Sequence, residues 1–426
     1  MRILIVSKYA WDDRLAGGNT LSNFFCGWTN AEFYNIYCRD AQPNNKCCSE
    51  YFAISPINIF KNLFLPWRIG HRFTIDEKTI AYVSSSTKAE ESLTRLSKKS
   101  SVFAYLYDIL YSTRFWLNNK LIDFIDDANP DIVFCFGVSD AYNYQLIRYL
   151  RKRRKKHIVT YFLDDHYYTD LHWWNIHKKV RNIRLTRLAQ MSDKRYGITQ
   201  MMCDAYSDIM KVGFEVLTKG CYVNGIISKN NNPIKMLYAG NLLYNRDKTI
   251  IELVAAIEEI NHSSGVKCHL DIYTTTQLDE DIKKRLNVEG VSSLNPPRPY
   301  EEIQMIMSGS DIVLHVESFD KEQIEYVHYS FSTKITDCLQ SGAMVLAIGP
   351  DSIASIEYLK KIPGVVVVTD LRSLSAIISN CVNNVQTISR NAIQTYEYAR
   401  LELSIDKVRN RLQKDFTELT QKEISI

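Results

Sequence analysis

The feature that most constrains this chain is an alternation of short apolar runs with stretches of helical periodicity, which breaks once and then restarts. The runs Ile3–Val6, Phe33–Cys38, Asp131–Phe136, His157–Leu163, Arg195–Ile198 and Gly220–Val223 read as strands. Between them, Asn19–Trp28, Ser101–Ala128, Tyr142–Arg151 and Val180–Met191 read as helices. Strands separated by helices pair in parallel through right-handed crossovers. The polar "SKNNNP" (Ser228–Pro233) reads as a linker. Beyond it come the strands "IKMLYAG" (Ile234–Gly240), "CHLDIYT" (Cys268–Thr274), "DIVLHV" (Asp311–Val316), "AMVLAIG" (Ala343–Gly349) and "GVVVVTD" (Gly364–Asp370). A helix spans Thr249–Ile260, and Asn391–Ile426 is helical and charged.

The expected class is therefore α/β, with two Rossmann-like, doubly wound domains facing each other across a cleft. The expected extents are 1–227 for the first domain, 234–400 for the second, and 401–426 for a C-terminal helix that returns to the first. A length of 426 residues agrees, since single cores stop growing near ~250–300 residues. Ligands in such sheets bind beyond the carboxyl ends of the strands, so the cleft is the natural site.

Composition narrows the function. The chain is 46% apolar and 23% charged, an ordinary globular balance, and its net charge of +4 is too small to indicate a nucleic-acid partner. The ten Cys form no CxxC pair and no Cys/His spacing suited to zinc. Reduced thiols in a cytoplasmic protein are the simplest reading. "MRILIVSKYAWDDR" reads as a first strand and no signal peptide, and no stretch approaches the ~18–20 apolar residues of a membrane span.

The motifs lie at expected strand ends. "AGGNTLSNF" places Gly17 and Gly18 before a helix, where backbone N–H groups can approach a phosphate or sugar; a plain turn is the alternative. "IVTYFLDDHYYTD" ends a buried strand in Asp164, Asp165 and His166. His166 suits a sugar hydroxyl or a proton transfer, while either Asp also suits a helix cap. "YAGNLLYNRDK" sets Arg246 and Lys248 beyond a strand, where a cation can meet a pyrophosphate. Glu317 follows "DIVLHV" and suits the hydroxyls of a ribose or sugar. In "FSTKITDCLQSGAMVLAIGP", Ser332, Thr333 and Lys334 open a helix that suits an anion, and Asp337 lies one turn on, where it can accept from hydroxyls. A capped helix with a surface Lys–Asp pair fits that stretch equally well. The basic run "RKRRKK" (Arg151–Lys156), with the apolar and aromatic Ile57–Phe73 and Val102–Leu117, suits either solvated and core helices or an anionic membrane surface.

Together these residues resemble the glycosyltransferases of the GT-B fold, specifically the retaining family-four type of bacterial polysaccharide synthesis. The resemblance covers most of the chain. It matches Gly17-Gly18 to the first-strand glycine loop, "FLDDH" to a His–Asp-like strand end, and "MSDKRYGITQMM" to a further motif with Thr199 for the usual Ser. "LYAGNL…R", with Asn241 and Arg246, matches the strand and cation that meet the donor pyrophosphate, and "STKITDCLQSGAMVLA" matches the donor block. Counting back five from Gly342 places Asp337 where the family has a Glu holding the ribose; the family's earlier Glu falls on Tyr329, leaving Glu317 or Glu325 as substitutes. The resemblance implies His166, Asp165 and Glu317 as catalytic, and Gly17, Gly18, Asn241, Arg246, Lys248, Ser332, Thr333, Lys334 and Asp337 as donor-binding. It implies no metal or other cofactor, a nucleotide-sugar donor held by the second domain, and a glycan or lipid-linked acceptor held by the first. The setting would be capsule or lipopolysaccharide synthesis in the cytoplasm, with peripheral contact at the inner membrane face and no nucleic acid. A nucleotide-sugar epimerase of the same fold and a non-catalytic sugar-nucleotide scaffold are the competing readings.

Overall fold

The structure is a computed structural model, and it describes residues 1–39, 42–62, 64–75, 101–168, 175–223, 225 and 231–424. The chain divides into two compact units, Met1–Thr218 with Val408–Ile426, and Lys219–Lys407. Residues 228–230 of the expected linker lie outside the described residues.

In the first unit the strands are β1 (Arg2–Ser7), β2 (Glu32–Tyr37), β3 (Cys48–Ala53), β4 (His71–Phe73), β5 (Ile132–Phe136), β6 (His157–Phe162), β7 (Lys194–Gly197) and β8 (Glu215–Val216). They form one sheet in the order β4-β3-β2-β1-β5-β6-β7-β8. Every pairing is parallel except β3 with β4. β1, β5 and β6 are covered on both faces, which explains why they read as nearly continuous apolar runs. The order reverses between β1 and β5, so their carboxyl ends open onto the crevice where such sheets hold ligands. The last helix, Ile405–Thr420, caps this unit: Phe416 packs on Phe25 and Trp28, and Arg409 donates to the carbonyls of Ser22 and Asn23.

In the second unit β9 (Ile234–Ala239), β10 (Cys268–Tyr273), β11 (Ser292–Asn295), β12 (Ile312–Val316), β13 (Met344–Ile348) and β14 (Val366–Val368) form a wholly parallel sheet. Its order is β11-β10-β9-β12-β13-β14, with the reversal between β9 and β12. The helix Lys334–Gln340 feeds β13 through Gly342, whose φ of +70° is the left-handed turn that ends a helix without a Cβ penalty.

Three expectations need correction. Gly220–Val223 is not a strand; Cys221 makes only a single bridge to Ser404, and β8 forms earlier, at Glu215–Val216. A Cβ on Gly220 would lie 2.5 Å from the Ile405 Cα, so a glycine serves the close passage of two backbones there. The cysteines are not all thiols: Cys26 and Cys47 form a disulfide, and the other eight are free and buried. The basic run is not one solvated patch. Arg151 is buried in a two-pronged pair with Asp193, Arg154 bonds Asp126, and Lys156 bonds Asn129, leaving Lys152, Arg153 and Lys155 exposed. Among the described residues, no helix is long and apolar enough to cross a membrane.

Candidate functional site

Each unit carries a pocket at its own sheet reversal. In the first, the pocket depends on how the loop after β1 is held. Asn35, buried in β2, donates to the Ile5 carbonyl and Ser7 Oγ and accepts from the Trp11 amide, while Trp11 Nε1 donates to Ser22. The helix Ala16–Phe25 then lies so close to this loop that a Cβ on Gly18 would stand 2.0 Å from the Asp12 carbonyl oxygen. Gly18 is therefore required by packing, whereas Gly17 faces the pocket, its nearest neighbour being the Phe136 ring at 3.8 Å.

The resulting cavity, about 360 Å³, is lined by Lys8, Gly17, Asp140, Asp164, His166 and Arg181 among apolar residues such as Leu15, Phe136 and Leu163. Lys8 Nζ stands 3.4 Å from Asp140 Oδ2, and Arg181 Nη2 stands 3.5 Å from Asp140 Oδ1. Burial opposes ionisation of Asp140, but Lys8, Arg181, His166 and Arg39 hold its carboxyl well below the usual range. Asp165 turns away from this work. Its Oδ1 accepts from the Tyr206 hydroxyl at 2.7 Å and from the amides of Tyr167 and Tyr168, closing the turn that presents His166.

The second unit's pocket, about 310 Å³, lies beyond β9 and is lined by Gly240, Asn241, Thr274, Tyr300, Lys334 and Asp337, among others. The Lys334 ammonium lies over Gly240, where a Cβ would come within 3.2 Å of Nζ. Loss of hydration and the nearby Arg246 lower its pKa. Asp337 is buried, which pushes its carboxyl up, and its Oδ1 accepts from the Tyr300 hydroxyl at 2.8 Å. An open depression of about 820 Å³ adjoins, sharing Thr274 and Pro297 and adding Thr276, Gln277 and Asn295.

Arg246 and Glu317 form one unit. Arg246 Nη2 and Nε donate to Glu317 Oε2 at 2.7 and 3.0 Å, and Nη1 donates to Asn241 Oδ1 at 2.9 Å. His315 Nε2 lies 3.3 Å from Glu317 Oε1. Burial by itself would raise the Glu317 carboxyl; His315 and Arg246 bring it below the ordinary value. Arg246 thus retains two N–H groups for a ligand while its charge is already matched.

The structure thus gathers Asn241, Arg246 and Glu317, and separately Lys334 and Asp337, around the end of β9. Ser332 and Thr333 precede the helix start without capping it, and Lys248 stands exposed, 3.4 Å from Asp320. Gly17, Gly18 and His166 line the first unit's pocket, while Asp165 holds the turn behind His166. Sequence reasoning missed Tyr300, Thr274 and Pro297 in the second unit and Lys8, Asp140 and Arg181 in the first. The signal available was position: Lys8 and Asp140 follow β1 and β5, the two strands that flank the reversal. Among the described residues, no three His, Cys, Asp or Glu side chains cluster as a metal site would need.

No protein-family model and no curated protein sequence matches the chain. Solved structures do match over nearly its full length. HepE of Anabaena in complex with UDP is 13% identical, with a TM-score of 0.60 over 98% of this chain and 100% of that one. Sucrose-phosphate synthase of Thermosynechococcus elongatus is 10% identical, with a TM-score of 0.61 over 99% of this chain and 100% of that one. A UDP-forming trehalose-phosphate synthase of Burkholderia xenovorans, in complex with glucose-6-phosphate, is 9% identical, with a TM-score of 0.58 over 98% and 100%. The chain has the GT-B fold. A GT-B chain carries two Rossmann-like sheets, and here each keeps its ligand-accessible reversal open and lined with charge.

Proposed function

We propose that this chain is a glycosyltransferase that moves a sugar from a nucleoside-diphosphate donor to a glycan or lipid-linked acceptor. The observation that carries this reading is the β9 pocket, where the Lys334 ammonium, lying over the Gly240 backbone, stands beside a buried carboxylate, Asp337. A diphosphate and a ribose present the two chemistries that this pair can bind. The solved structure of HepE with UDP and glucose supports the same ligand class. The leaving diphosphate gains charge as the sugar–oxygen bond breaks, and Lys334 with the remaining N–H groups of Arg246 would stabilise it there. The sequence motifs add the finer assignment: the retaining family-four type, acting in cell-surface polysaccharide synthesis.

The test separates phosphate from nucleoside. Lys334→Ala is expected to weaken UDP binding by about ten- to a hundredfold, because a charged bond to a desolvated phosphate is worth ~1.5–3 kcal/mol. Uridine binding should barely change, and Arg246→Ala should follow in the same direction. Asp337→Ala should weaken uridine and UDP alike, since both carry the ribose hydroxyls. Calorimetric titration of each variant decides it. Equal losses for both ligands in Lys334→Ala would remove the phosphate role. Nucleotide release from a panel of UDP-, GDP- and TDP-sugars, with and without acceptors, then distinguishes transfer from epimerisation and from binding alone.

We further propose a cytoplasmic location at the inner membrane face. Phe60, Phe64 and Trp67 are 76%, 90% and 61% exposed, and Lys152, Arg153 and Lys155 are exposed on the same unit. Each basic residue near an anionic surface adds about 1 kcal/mol, so salt-sensitive cosedimentation with phosphatidylglycerol vesicles is expected. Protein remaining wholly in the supernatant at low salt would count against it.

A further inference from the structure

The turn that delivers Arg246 to the end of β9 has an unusual backbone. Tyr244 and Asn245 stand at φ +61° and +58°, two consecutive residues in the left-handed region, and both carry the Cβ penalty that glycine would avoid. Asn245 also precedes the helix Arg246–Ser263, a position where Asn ordinarily takes extended backbone and caps the helix with its side chain. Here it does neither. Its Nδ2 donates instead to Asp320 Oδ2 at 2.9 Å. A second tie runs beside the first: the Tyr244 ring stacks on Tyr326, with centroids 5.2 Å apart and planes at 29°. Tyr326 lies on the helix Lys321–Val327, and Asp320 is the N-cap of that same helix. Two contacts thus hold the strained turn against one short helix. The consequence falls two residues on, where the Arg246 guanidinium lies over the Tyr244 ring at 5.5 Å. Glu317 and Asn241 take its edge and Tyr244 takes its face, so the plane of the guanidinium is set from two directions. Backbone strain that persists because its surroundings over-determine it clusters at functional positions.

We propose that Tyr244, backed by Tyr326, is a positioning residue: stacked on the face of Arg246, it fixes the direction in which the two remaining N–H groups of that guanidinium meet the donor diphosphate. This rests on the reading above, that Arg246 binds the diphosphate. A guanidinium already held on a ring gives up less freedom when it binds, and the gain belongs to phosphate-bearing ligands alone. The stack uses the ring and not the hydroxyl, so Phe should serve at position 244 where Ala does not. A ring acting through Arg246 matters only while Arg246 is present. A ring that itself touched the base or the sugar would matter in either background.

The full chain and its variants are titrated with UDP and with uridine by calorimetry, and melting curves show that each variant is folded. Tyr244→Ala should weaken UDP binding by about three- to tenfold and leave uridine unchanged, while Tyr244→Phe binds as the wild type does. In the Arg246→Ala background, Tyr244→Ala should add nothing. Tyr326→Ala should follow Tyr244→Ala in direction, and wild-type affinity there overturns its backing role. Should Tyr244→Ala fail to fold, Tyr244→Leu keeps the bulk without the aromatic face and takes its place. Three outcomes overturn the proposal: wild-type UDP affinity in Tyr244→Ala, additive losses in the double variant, or equal losses in Tyr244→Phe and Tyr244→Ala. Wild-type UDP affinity in Arg246→Ala removes the phosphate role of Arg246 instead, and the proposal falls with it. A second measurement needs no ligand. The Arg246 side-chain Nε–H signal, identified by NMR through its loss in Arg246→Ala, should be sharp in the wild type and in Tyr244→Phe and broadened by exchange in Tyr244→Ala. If UDP does not bind at all, the donor reading falls, and an unchanged signal in Tyr244→Ala overturns the stack as well.

Discussion

Glu317→Ala is expected to lower the stability of the second unit by about 3–5 kcal/mol and to abolish nucleotide binding with it. Glu317 and Arg246 side chains are only 4% and 14% exposed, and they share two hydrogen bonds. Truncating the acid leaves a mostly buried guanidinium without its counter-charge. The Thr249 hydroxyl, which donates to the Glu317 carbonyl, would keep the backbone in place, so the loss should report the side chain. Glu317→Gln retains an acceptor for Arg246 and should cost less. The pH dependence has a definite sign. A carboxyl held below its ordinary value when folded contributes fully above the unfolded pKa of about 4.3, and loses that contribution as pH falls through the lower, folded value. Urea unfolding of the wild type and Glu317→Ala at neutral pH checks the magnitude. A difference below about 1 kcal/mol would show that the pair is solvated and does not organise the site.

His166→Ala is expected to reduce turnover by about a hundredfold or more while changing the apparent donor affinity little. The residue lines the first unit's pocket, and its backbone amide is tied to the Tyr206 hydroxyl, which also holds Asp165. The ring is thus presented by a turn fixed from behind, with freedom to meet a sugar hydroxyl. A bond that strengthens only as positive charge develops on the transferred sugar shows in turnover and hardly in ground-state binding. Asp165→Asn should act differently. It weakens the turn through Tyr167, Tyr168 and Tyr206, lowering thermal stability together with activity. Steady-state rates over a range of donor concentrations, with melting curves, separate the two. Wild-type turnover in a folded His166→Ala variant would leave His166 no role in the chemistry.

The sequence by itself determined the architecture, two doubly wound sheets with one reversal in each. β1, β5, β6, β9, β12 and β13 are apolar because both faces are covered, so each announced itself in a window of five or six residues. Their spacing by helices then dictated parallel pairing, and the reversal points followed. The helix at Lys334, its glycine exit and β13 were legible for the same reason, since periodicity and turn chemistry act within one or two turns. β3, β4 and β11 were not legible, because strands toward a sheet edge bury less and mix polar residues into the run, as "CSEYFA" and "SSLN" do. Gly220–Val223 failed in the opposite way: it has the composition of a strand, but among the described residues its pairing stops at the single bridge in which Cys221 donates to the Leu403 carbonyl and accepts from the Ile405 amide. Only the tertiary structure decided which charges meet. Arg246 reaches Glu317 across 71 positions, Lys8 and Arg181 converge on Asp140 from strands and a helix far apart in the chain, and Cys26 finds Cys47 between β1's helix and β3. Such pairs depend on register and crossover geometry, and local propensity carries no record of either. The motifs therefore lay near strand ends, while the fold decided that Arg246 is already paired with Glu317 and that Lys8 and Arg181 share Asp140.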